Sequence, residues 1–278
     1  METITKTARG GEDLRCEAAA LAWLAEAEPC GGLHAARVLE ASRRSLTEEL
    51  VATGPVTAQT AEAMGRALAR THAAGAPWWG APPDGWPRDD APAGYTIAGT
   101  LTPVVPRPGG FDSWGRYFWA VRLEPFVRGL SEGGFFDRSA TELLERVGAR
   151  LCDGDFDAPQ PRLVERRGRE GLPAVARLHG DLWAGNLLAD TDPANPTGGT
   201  LIDPMAHGGH AETDLAMLQL FGYPRLEALL DAYDEESPLA DGWRERVALH
   251  QLAPLLHHCL LHGAAYGADT LAAARRYA

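Results

Sequence analysis

Apolar positions recur at helical spacing over most of this chain and alternate at strand spacing in only a few short stretches. The clearest helical stripe lies in Thr57–Ala74, where Ala61, Met64 and Leu68 fall on one side. Short β-prone segments precede this helix, and three more lie near the middle of the chain. The pattern predicts an α+β protein with a small strand-containing N-terminal part and a mostly helical C-terminal part.

Turn residues divide this pattern into elements. Strands are predicted at residues 3–7, 35–40, 45–51, 174–178, 187–188 and 200–202, with a hairpin turn at 190–199. Helices are predicted at residues 12–28, 57–74, 114–128, 139–153, 215–221, 226–233, 243–263 and 270–277. Proline and glycine predict a long loop at 75–113, and residues 158–171 are expected to be a loop or a helix end. We expect a boundary near residue 52, between a partial N-lobe (1–52) and a helical C-lobe (53–278).

Composition narrows the class of protein. The chain has 278 residues, 45% of them hydrophobic, and a formal net charge of −12. An acidic chain without a basic stripe is a poor ligand for nucleic acid, and no apolar stretch reaches the roughly 18 residues of a membrane span. The four cysteines are scattered, and the N-terminus lacks the apolar core of a secretory signal. We therefore expect a cytoplasmic protein that binds neither nucleic acid nor membrane.

The chain contains a single lysine. Of the 26 basic residues, 25 are arginine and only Lys6 is lysine. A lysine places a compact ammonium where the planar guanidinium of arginine does not fit, for example on a phosphate. Chance survival near the start of the chain is the alternative to such a specific role.

The strongest chemical signal is a loop between two predicted strands. Asp181 and Asn186 are five residues apart in this loop, and Asp203 ends another strand 17 residues later. Phosphoryl transfer from ATP needs a carboxylate to orient the attacking hydroxyl, and an amide oxygen and a second carboxylate to hold Mg²⁺. The same five-residue step separates base and asparagine in the protein-kinase catalytic loop. Each residue alone is typical of a turn, but together they predict a kinase site.

Two upstream residues extend this interpretation. In protein kinases a strand lysine contacts the α- and β-phosphates and pairs with a glutamate on a helix. Here Lys6 lies in the first predicted strand, and Glu17 lies on the helix that follows it. We therefore interpret Lys6 and Glu17 as the phosphate-side ion pair, which favours a specific role for the single lysine.

The residues around Asp181 resemble one kinase family in particular. His179–Asn186 reads HGDLWAGN, and residues 202–222 read IDPMAHGGHAETDLAMLQLFG. Both stretches are similar to the hallmark of the fructosamine kinase (ketosamine-3-kinase) family, which is related to the aminoglycoside phosphotransferases. The resemblance runs from about Lys6 to the end of the chain. It implies a two-lobe protein-kinase-like fold, the cofactors ATP and Mg²⁺, and phosphorylation of the 3-hydroxyl of ketoamines, which are sugar adducts of free or protein-bound amines.

The resemblance also implies a role for each matching residue. Those at the reacting centre are the base Asp181, the Mg²⁺ ligands Asn186 and Asp203, and the loop supports His179 and Asp214. Those around the nucleotide and sugar are Lys6 and Glu17 at the phosphates, Glu48 and Leu50 in a hinge at 46–50 whose backbone would meet adenine, and Trp183 at the sugar. An aromatic face suits the C–H surface of a sugar, with plain core packing as the alternative for Trp183.

One part of the family pattern is not seen ahead of Lys6. Family members carry a strand, a Gly-rich loop and a second strand before the lysine strand, so we expect this chain to be N-terminally truncated or its start to be misplaced. The Gly-rich loop covers the ATP phosphates, and its loss should weaken nucleotide binding. Its absence should also leave one sheet edge open, which predicts a monomer or an edge-strand dimer.

Two other functions stay open from the sequence. An aminoglycoside or other small-molecule kinase would bind cationic substrates through acidic side chains, and a predicted loop supplies Asp231, Asp234, Glu235 and Glu236. A pseudokinase acting as a binding module would fit a missing Gly-rich loop. The histidines at 257, 258 and 262 lie on a predicted apolar helix and are interpreted as packed or surface side chains rather than as a metal site.

Overall fold

A computed structural model describes residues 2–87 and 93–278, and in these two ranges short strands alternate with helices. The strands are β1 (Thr3–Thr7), β2 (His34–Ala35), β3 (Val38–Ala41), β4 (Ser45–Glu49), β5 (Gly94–Ile97), β6 (Thr100–Pro103), β7 (Ala176–Leu178), β8 (Leu187–Ala189), β9 (Gly199–Leu201) and β10 (His207–Gly209). The helices are α1 (Leu14–Ala25), α2 (Ala58–Ala74), α3 (Trp114–Tyr117), α4 (Glu124–Glu132), α5 (Arg138–Asp153), α6 (Arg162–Arg169), α7 (Glu212–Leu220), α8 (Leu226–Glu236), α9 (Trp243–His250), α10 (Leu252–His262) and α11 (Gly267–Ala274). A π-helical segment, Phe118–Leu123, joins α3 to α4.

The N-terminal part is a three-stranded antiparallel sheet with α1 packed against it. The strand order is β1–β4–β3, and Lys6 on β1 lies opposite Leu46 on β4. Helix α1 begins after Asp13, whose carboxylate accepts a hydrogen bond from the Arg15 amide and so caps the first turn. Packing of α1 on β3 and β4 brings Glu17 within reach of Lys6.

The middle of the chain forms two small sheets. Strands β8 and β9 pair as a hairpin, and β2 joins β9 in parallel, which ties the N-terminal part to this sheet. Strand β7 pairs with β10 in the other sheet. Residues 179–186 therefore pass from one sheet to the other, and the segment after β9 passes back. These two segments lie side by side and are joined by a hydrogen bond, in which the Ile202 amide donates to the Asn186 carbonyl at 3.1 Å.

Two hydrophobic clusters hold the elements together. The first joins α1, α2, α8 and the strands around buried residues such as Leu21, Leu68 and Leu229. It draws residues from both sides of residue 52, and the lobe boundary there stays a prediction. The second cluster joins the helices α3–α5 and α9–α11 around Phe118 and Leu249.

The segment 75–113, predicted to be a loop, contains the hairpin β5–β6. Its two-residue turn has positive φ at Ala98 and Gly99, as in the turns that suit the twist of paired strands. Each strand has only four residues, and prolines surround them. The sequence pattern therefore predicted a loop here rather than two strands. Residues 88–92 of the predicted loop lie outside the described residues.

Two helical predictions also need correction. Residues 158–171 include the helix α6 rather than a simple loop. The single helix predicted at 243–263 is divided into α9 and α10, because Pro254 has no amide hydrogen to donate to the His250 carbonyl. Across the described residues, no helix is both long and apolar enough to cross a membrane.

Candidate active site

The loop after β7 carries the predicted base on a tightly held backbone. Gly180 has a φ of +85°, and a Cβ there would lie 2.2 Å from the Met205 carbonyl oxygen, so no larger residue fits. His179 is buried; its Nε2 donates to the Ile202 carbonyl at 2.9 Å, and its Nδ1 accepts from the Asp181 amide at 3.2 Å. Burial lowers the pKa of His179, which suits this neutral imidazole.

Asn186 orients the Asp181 side chain. The Asn186 amide nitrogen donates to the Asp181 carbonyl oxygen at 2.8 Å and to its carboxylate Oδ2 at 3.1 Å. Burial raises the pKa of Asp181 to about 6, although the Asn186 hydrogen bond opposes this shift. Because its nitrogen is engaged, Asn186 has its side-chain oxygen left for a ligand.

Asp203 follows β9 in a strained backbone conformation. Its φ is +52°, a left-handed value that is uncommon for a residue other than glycine. Its backbone carbonyl lies 3.5 Å from the Asn186 amide nitrogen, and its half-exposed carboxylate contacts the Lys6 ammonium. Strain of this kind is concentrated at functional sites, where the surroundings hold it in place.

Lys6 lies among three carboxylates. Its ammonium is 2.7 Å from Glu17 Oε1 and 2.7 Å from Glu48 Oε1, and it also bonds Asp203. Burial lowers the pKa of Lys6, but the Glu17 and Asp203 carboxylates outweigh this effect and raise it. Burial raises the pKa of Glu17 to about 7, against the lowering effect of Lys6. We call Lys6, Glu17, Glu48 and Asp203 the lysine cluster; the structure thus brings the two halves of the predicted site together.

The two predicted hinge residues lie in different surroundings. Glu48 is buried in the lysine cluster, and its Oε2 has no hydrogen-bond partner among the described residues. Leu50 is half-exposed and lines a separate cavity of about 580 Å³, beside His34 and Glu49. Its amide donates to the Glu2 carbonyl at 2.9 Å. Adenine binding by this segment stays a prediction.

A buried network supports the loop from behind. Asp214, at the start of α7, accepts the His179 amide at 2.7 Å and the Gly180 amide at 3.0 Å. His72 on α2 completes it, with Nε2 3.2 Å from the Asp214 carboxylate and Nδ1 2.8 Å from the Tyr233 hydroxyl. Burial alone would raise the pKa of Asp214, but the His72 hydrogen bond and these amides hold it below its usual value. The sequence analysis missed His72 and Tyr233, although a histidine on an apolar helix face calls for a buried polar partner.

Trp183 lies between two cavities. Its ring packs over Gly185, where a Cβ would come within 2.4 Å of the indole. One cavity, of about 400 Å³, is lined by Trp183 together with Lys6, Asp181, Asn186 and Asp203. The other, of about 390 Å³, has mainly apolar walls and also touches Asp181. Trp183 is 42% exposed, so core packing does not account for its whole side chain.

The acidic residues that suggested a cationic substrate lie elsewhere. They fall at the end of helix α8 rather than in the predicted loop. Glu235 pairs with Arg66 at 3.4 Å, and Glu236 pairs with Arg70 at 2.9 Å, both on α2. None of the four lines the cleft that holds Asp181, within the described residues.

Comparison with known proteins identifies the family of this chain. A family model described as fructosamine kinase matches residues 9–276. The chain belongs to the fructosamine kinase family. Its relatives include a protein of Lactiplantibacillus plantarum provisionally named a ketoamine kinase, 44% identical over 55% of this chain and 49% of that protein. Mouse ketosamine-3-kinase is 29% identical over 57% of this chain and 45% of its own length. The chain thus spans about half the length of these curated relatives.

Solved structures show the fold. A Thermobifida fusca protein provisionally assigned as a fructosamine-3-kinase superposes with a TM-score of 0.79 at 36% identity, over 99% of this chain and 85% of that one. An ADP-bound aminoglycoside phosphotransferase superposes with a TM-score of 0.57 at 10% identity, over 99% of this chain and 88% of its own. This fructosamine kinase family member therefore has the α+β, protein-kinase-like phosphotransferase fold that the sequence predicted.

Proposed function

We propose that this chain transfers the γ-phosphoryl group of ATP to the 3-hydroxyl of a ketoamine. The observation that carries the proposal is one cleft whose walls hold Lys6, Asp181, Asn186 and Asp203 together. Membership of the fructosamine kinase family and the names of its ketoamine kinase relatives support the choice of acceptor.

Asp181 is the group that orients the attacking hydroxyl. In the reaction the sugar oxygen forms a bond to the γ-phosphorus, and the bond from that phosphorus to the ADP oxygen breaks. The hydroxyl proton passes to the Asp181 carboxylate and then to solvent. A pKa of about 6 leaves this carboxylate mainly ionised at neutral pH while keeping it basic enough to accept the proton.

The donor set around the phosphates fits Mg²⁺. The Asn186 side-chain oxygen and the Asp203 carboxylate are hard oxygen ligands, which this cation prefers. When bound, Mg²⁺ neutralises charge on the phosphate oxygens. Lys6 would contact the α- and β-phosphates, and Glu17 would hold its ammonium in place through the 2.7 Å ion pair.

The other assignments follow from the family resemblance. Leu50 and Glu48 would lie near adenine, Trp183 would lie against the sugar, and His179 and Asp214 would support the loop. Among the described strands, β1 pairs only with β4, so its outer edge is open to a second copy of the chain. We therefore propose a cytoplasmic protein that acts as a monomer or an edge-strand dimer and has no nucleic-acid or membrane partner.

The direct test is phosphoryl transfer to a defined ketoamine. The chain is incubated with Mg·ATP and the ketoamine of glucose, ADP release is followed, and ³¹P NMR identifies the phosphorylated hydroxyl. We expect acceptor-dependent ADP release and a 3-phosphate product, with no transfer to an aminoglycoside. Asp203→Asn should raise the Mg²⁺ concentration needed for half-maximal rate. A folded chain that binds Mg·ATP but transfers no phosphate to any ketoamine would favour the binding-module alternative.

A further inference from the structure

A small cavity of about 40 Å³ lies beside Asp181 and is lined by three polar side chains from separate parts of the chain. Thr102 comes from β6, Arg122 from the π-helical segment and His257 from α10. The walls of this cavity include neither Lys6 nor Asp203. In an in-line transfer the acceptor approaches from the side opposite the leaving group, so this cavity belongs to the acceptor side.

Two of the three polar groups lack partners among the residues that the structure describes. Thr102, Arg122 and His257 are 1%, 8% and 8% exposed. Neither Thr102 Oγ1 nor His257 Nε2 has a hydrogen-bond partner there, and the Arg122 guanidinium is near enough to Asp181 to exert a lowering effect on the pKa of that carboxyl. Another deeply buried arginine, Arg177, pairs with Glu26 at 2.9 Å and donates to the Gly75 carbonyl at 3.2 Å. The Arg122 guanidinium instead lines the cavity, where a ligand can reach it.

A guanidinium and two unsatisfied polar atoms on the walls of one cavity suit a ligand that brings an anionic oxygen group, because buried polar groups without a partner are costly. A guanidinium binds a carboxylate through two parallel hydrogen bonds, and a threonine hydroxyl and a neutral imidazole can add single ones. The carboxylates of Asp181 and Asp214 also line the cavity; loop amides donate to both oxygens of Asp214, whereas Asn186 donates to only one oxygen of Asp181. A ligand with an ammonium toward these acids and a carboxylate toward Arg122 would match both charges.

The walls of the neighbouring cavity, of about 390 Å³, indicate which chemical group the rest of the ligand carries. It shares Asp181, Met205 and Met217 with the small cavity, and so the two adjoin. Its other walls include Trp183 and Phe221, each 42% exposed. Among the described residues, Asp181 is the only acidic residue on these walls. An uncharged, apolar group therefore fits here better than a second cationic group.

We propose that Arg122, Thr102 and His257 bind the carboxylate of a ketoamine formed from an α-amino acid, whose apolar side chain lies along Trp183 and Phe221. This inference rests on the proposed ketoamine kinase function. In such a ketoamine a single carbon separates the secondary ammonium from the carboxylate, which places opposite charges near Asp181 and Arg122. Ketoamines of simple amines would bring no carboxylate to Arg122.

The test compares two acceptors that differ only by the carboxylate. Ketoamines of glucose with phenylalanine and with phenethylamine are assayed on the whole chain with Mg·ATP. We expect kcat/KM to be at least about tenfold higher for the phenylalanine ketoamine, because polar groups built to bind a substrate group penalise its loss. The kcat/KM for the phenylalanine ketoamine should also exceed that for the glycine ketoamine, which lacks the apolar side chain.

Variants then assign the preference to residues. Arg122→Gln should reduce the ratio of kcat/KM between the two ketoamines to about one, and Thr102→Val should reduce it by about threefold, since a neutral hydrogen bond contributes less than a charged one. Arg128→Gln, an exposed arginine on α4, is the matched control and should keep the ratio. A merely structural role for Arg122 would lower both kcat/KM values in parallel, which would overturn the proposal even if Arg122→Gln folds poorly.

The outcomes separate this inference from the proposed function. Turnover of both ketoamines at equal kcat/KM would overturn the carboxylate site while supporting the kinase. Faster turnover of the phenethylamine ketoamine in millimolar acetate would support the site, because the free carboxylate would then occupy the place that this acceptor leaves empty. Turnover of neither ketoamine by the folded chain would contradict the proposed function itself.

Discussion

Two groups of buried carboxylates flank Asp181, and they differ in how their charges are satisfied. Behind the loop, Asp214 is 1% exposed and accepts hydrogen bonds from His179, Gly180 and His72. In the lysine cluster, Glu48 is 2% exposed, yet one of its oxygens has no partner in the described chain. The fold therefore satisfies the hydrogen bonding of the Asp214 carboxylate, whereas one Glu48 oxygen stays unsatisfied among the described residues.

The pKa directions follow from this difference. Hydrogen bonds hold the pKa of Asp214 below its usual value, whereas burial raises the pKa of Glu48 and brings that of Glu17 to about 7. The hydrogen bonds around Asp214 thus keep its carboxylate in the anionic form. In the lysine cluster burial disfavours the anionic forms of Glu17 and Glu48, and the single Lys6 ammonium offsets this only in part.

The largest effect is expected where the two regions meet, at Asp181. Asp181→Asn should lower kcat by about 10²–10⁴-fold, because the amide cannot accept the hydroxyl proton. Affinity for Mg·ATP, measured by calorimetry, should stay close to that of the unchanged chain. The free energy of unfolding at pH 8 should not fall, since burial disfavours this carboxylate when it is ionised. A kcat within tenfold of the unchanged chain would remove Asp181 from the mechanism.

The supporting network can be broken at Asp214. Asp214→Asn replaces one accepting oxygen by an NH₂ group that faces the donors His179 N–H, Gly180 N–H or His72. We expect the free energy of unfolding, measured by urea denaturation, to fall by about 3 kcal/mol, because a buried charge network loses its acceptor. Turnover should fall with it, since the loop loses its anchor. Unchanged stability would mean that the loop is held by other contacts.

Glu48→Gln is the matched change in the lysine cluster. The glutamine keeps the shape and one acceptor for Lys6 but removes a negative charge that burial disfavours. We expect the free energy of unfolding to change by less than about 1 kcal/mol, in contrast to the loss at Asp214. Apparent affinity for ATP should rise by about two- to fivefold, because Lys6 is held by one anion fewer. Equal destabilisation by Glu48→Gln and Asp214→Asn would contradict the comparison.

An ion-paired histidine outside both regions provides a pH-dependent control. His34 lies 2.9 Å from Glu28 and 2.5 Å from Glu49, and the Glu28 hydrogen bond leads the effects that raise the pKa of His34 to about 9. Because the folded-state pKa exceeds the usual 6.5, this stabilisation is complete below pH 6.5 and is lost as the pH rises through 9. His34→Gln should cost about 1–2 kcal/mol at pH 6 and close to nothing at pH 10. A cost that does not vary with pH would show that packing, not charge, is lost.

Long periodic elements and closely spaced motifs were accessible from the sequence. The stripe at 57–74 predicted α2, and the five-residue step predicted that Asp181 and Asn186 meet in one loop, where they lie 3.1 Å apart. Lys6 and Glu17 could be paired because a strand and the helix after it are neighbours in most folds. Such inferences depend on local geometry, which a linear pattern records.

Other features escaped because their cause is not local. The hairpin β5–β6 was hidden by prolines, and its turn depends on positive φ at Ala98 and Gly99. The sequence predicts that the backbone of residues 46–50 meets adenine, which stays a prediction, but it gives no sign that the Glu48 side chain lies against Lys6. A strand pattern gives the direction of a side chain only once its register with a neighbouring strand is known.

The sequence by itself determined the family, the kinase-like fold and the set of residues around Asp181, because motif spacing and periodicity are properties of the chain. Only the tertiary structure showed which buried charges are satisfied. His72 reaches Asp214 from α2, while Thr102, Arg122 and His257 meet at one small cavity from three distant segments. The physical reason is that desolvation and hydrogen-bond satisfaction depend on everything that surrounds a group, and most of those surroundings are far away in sequence.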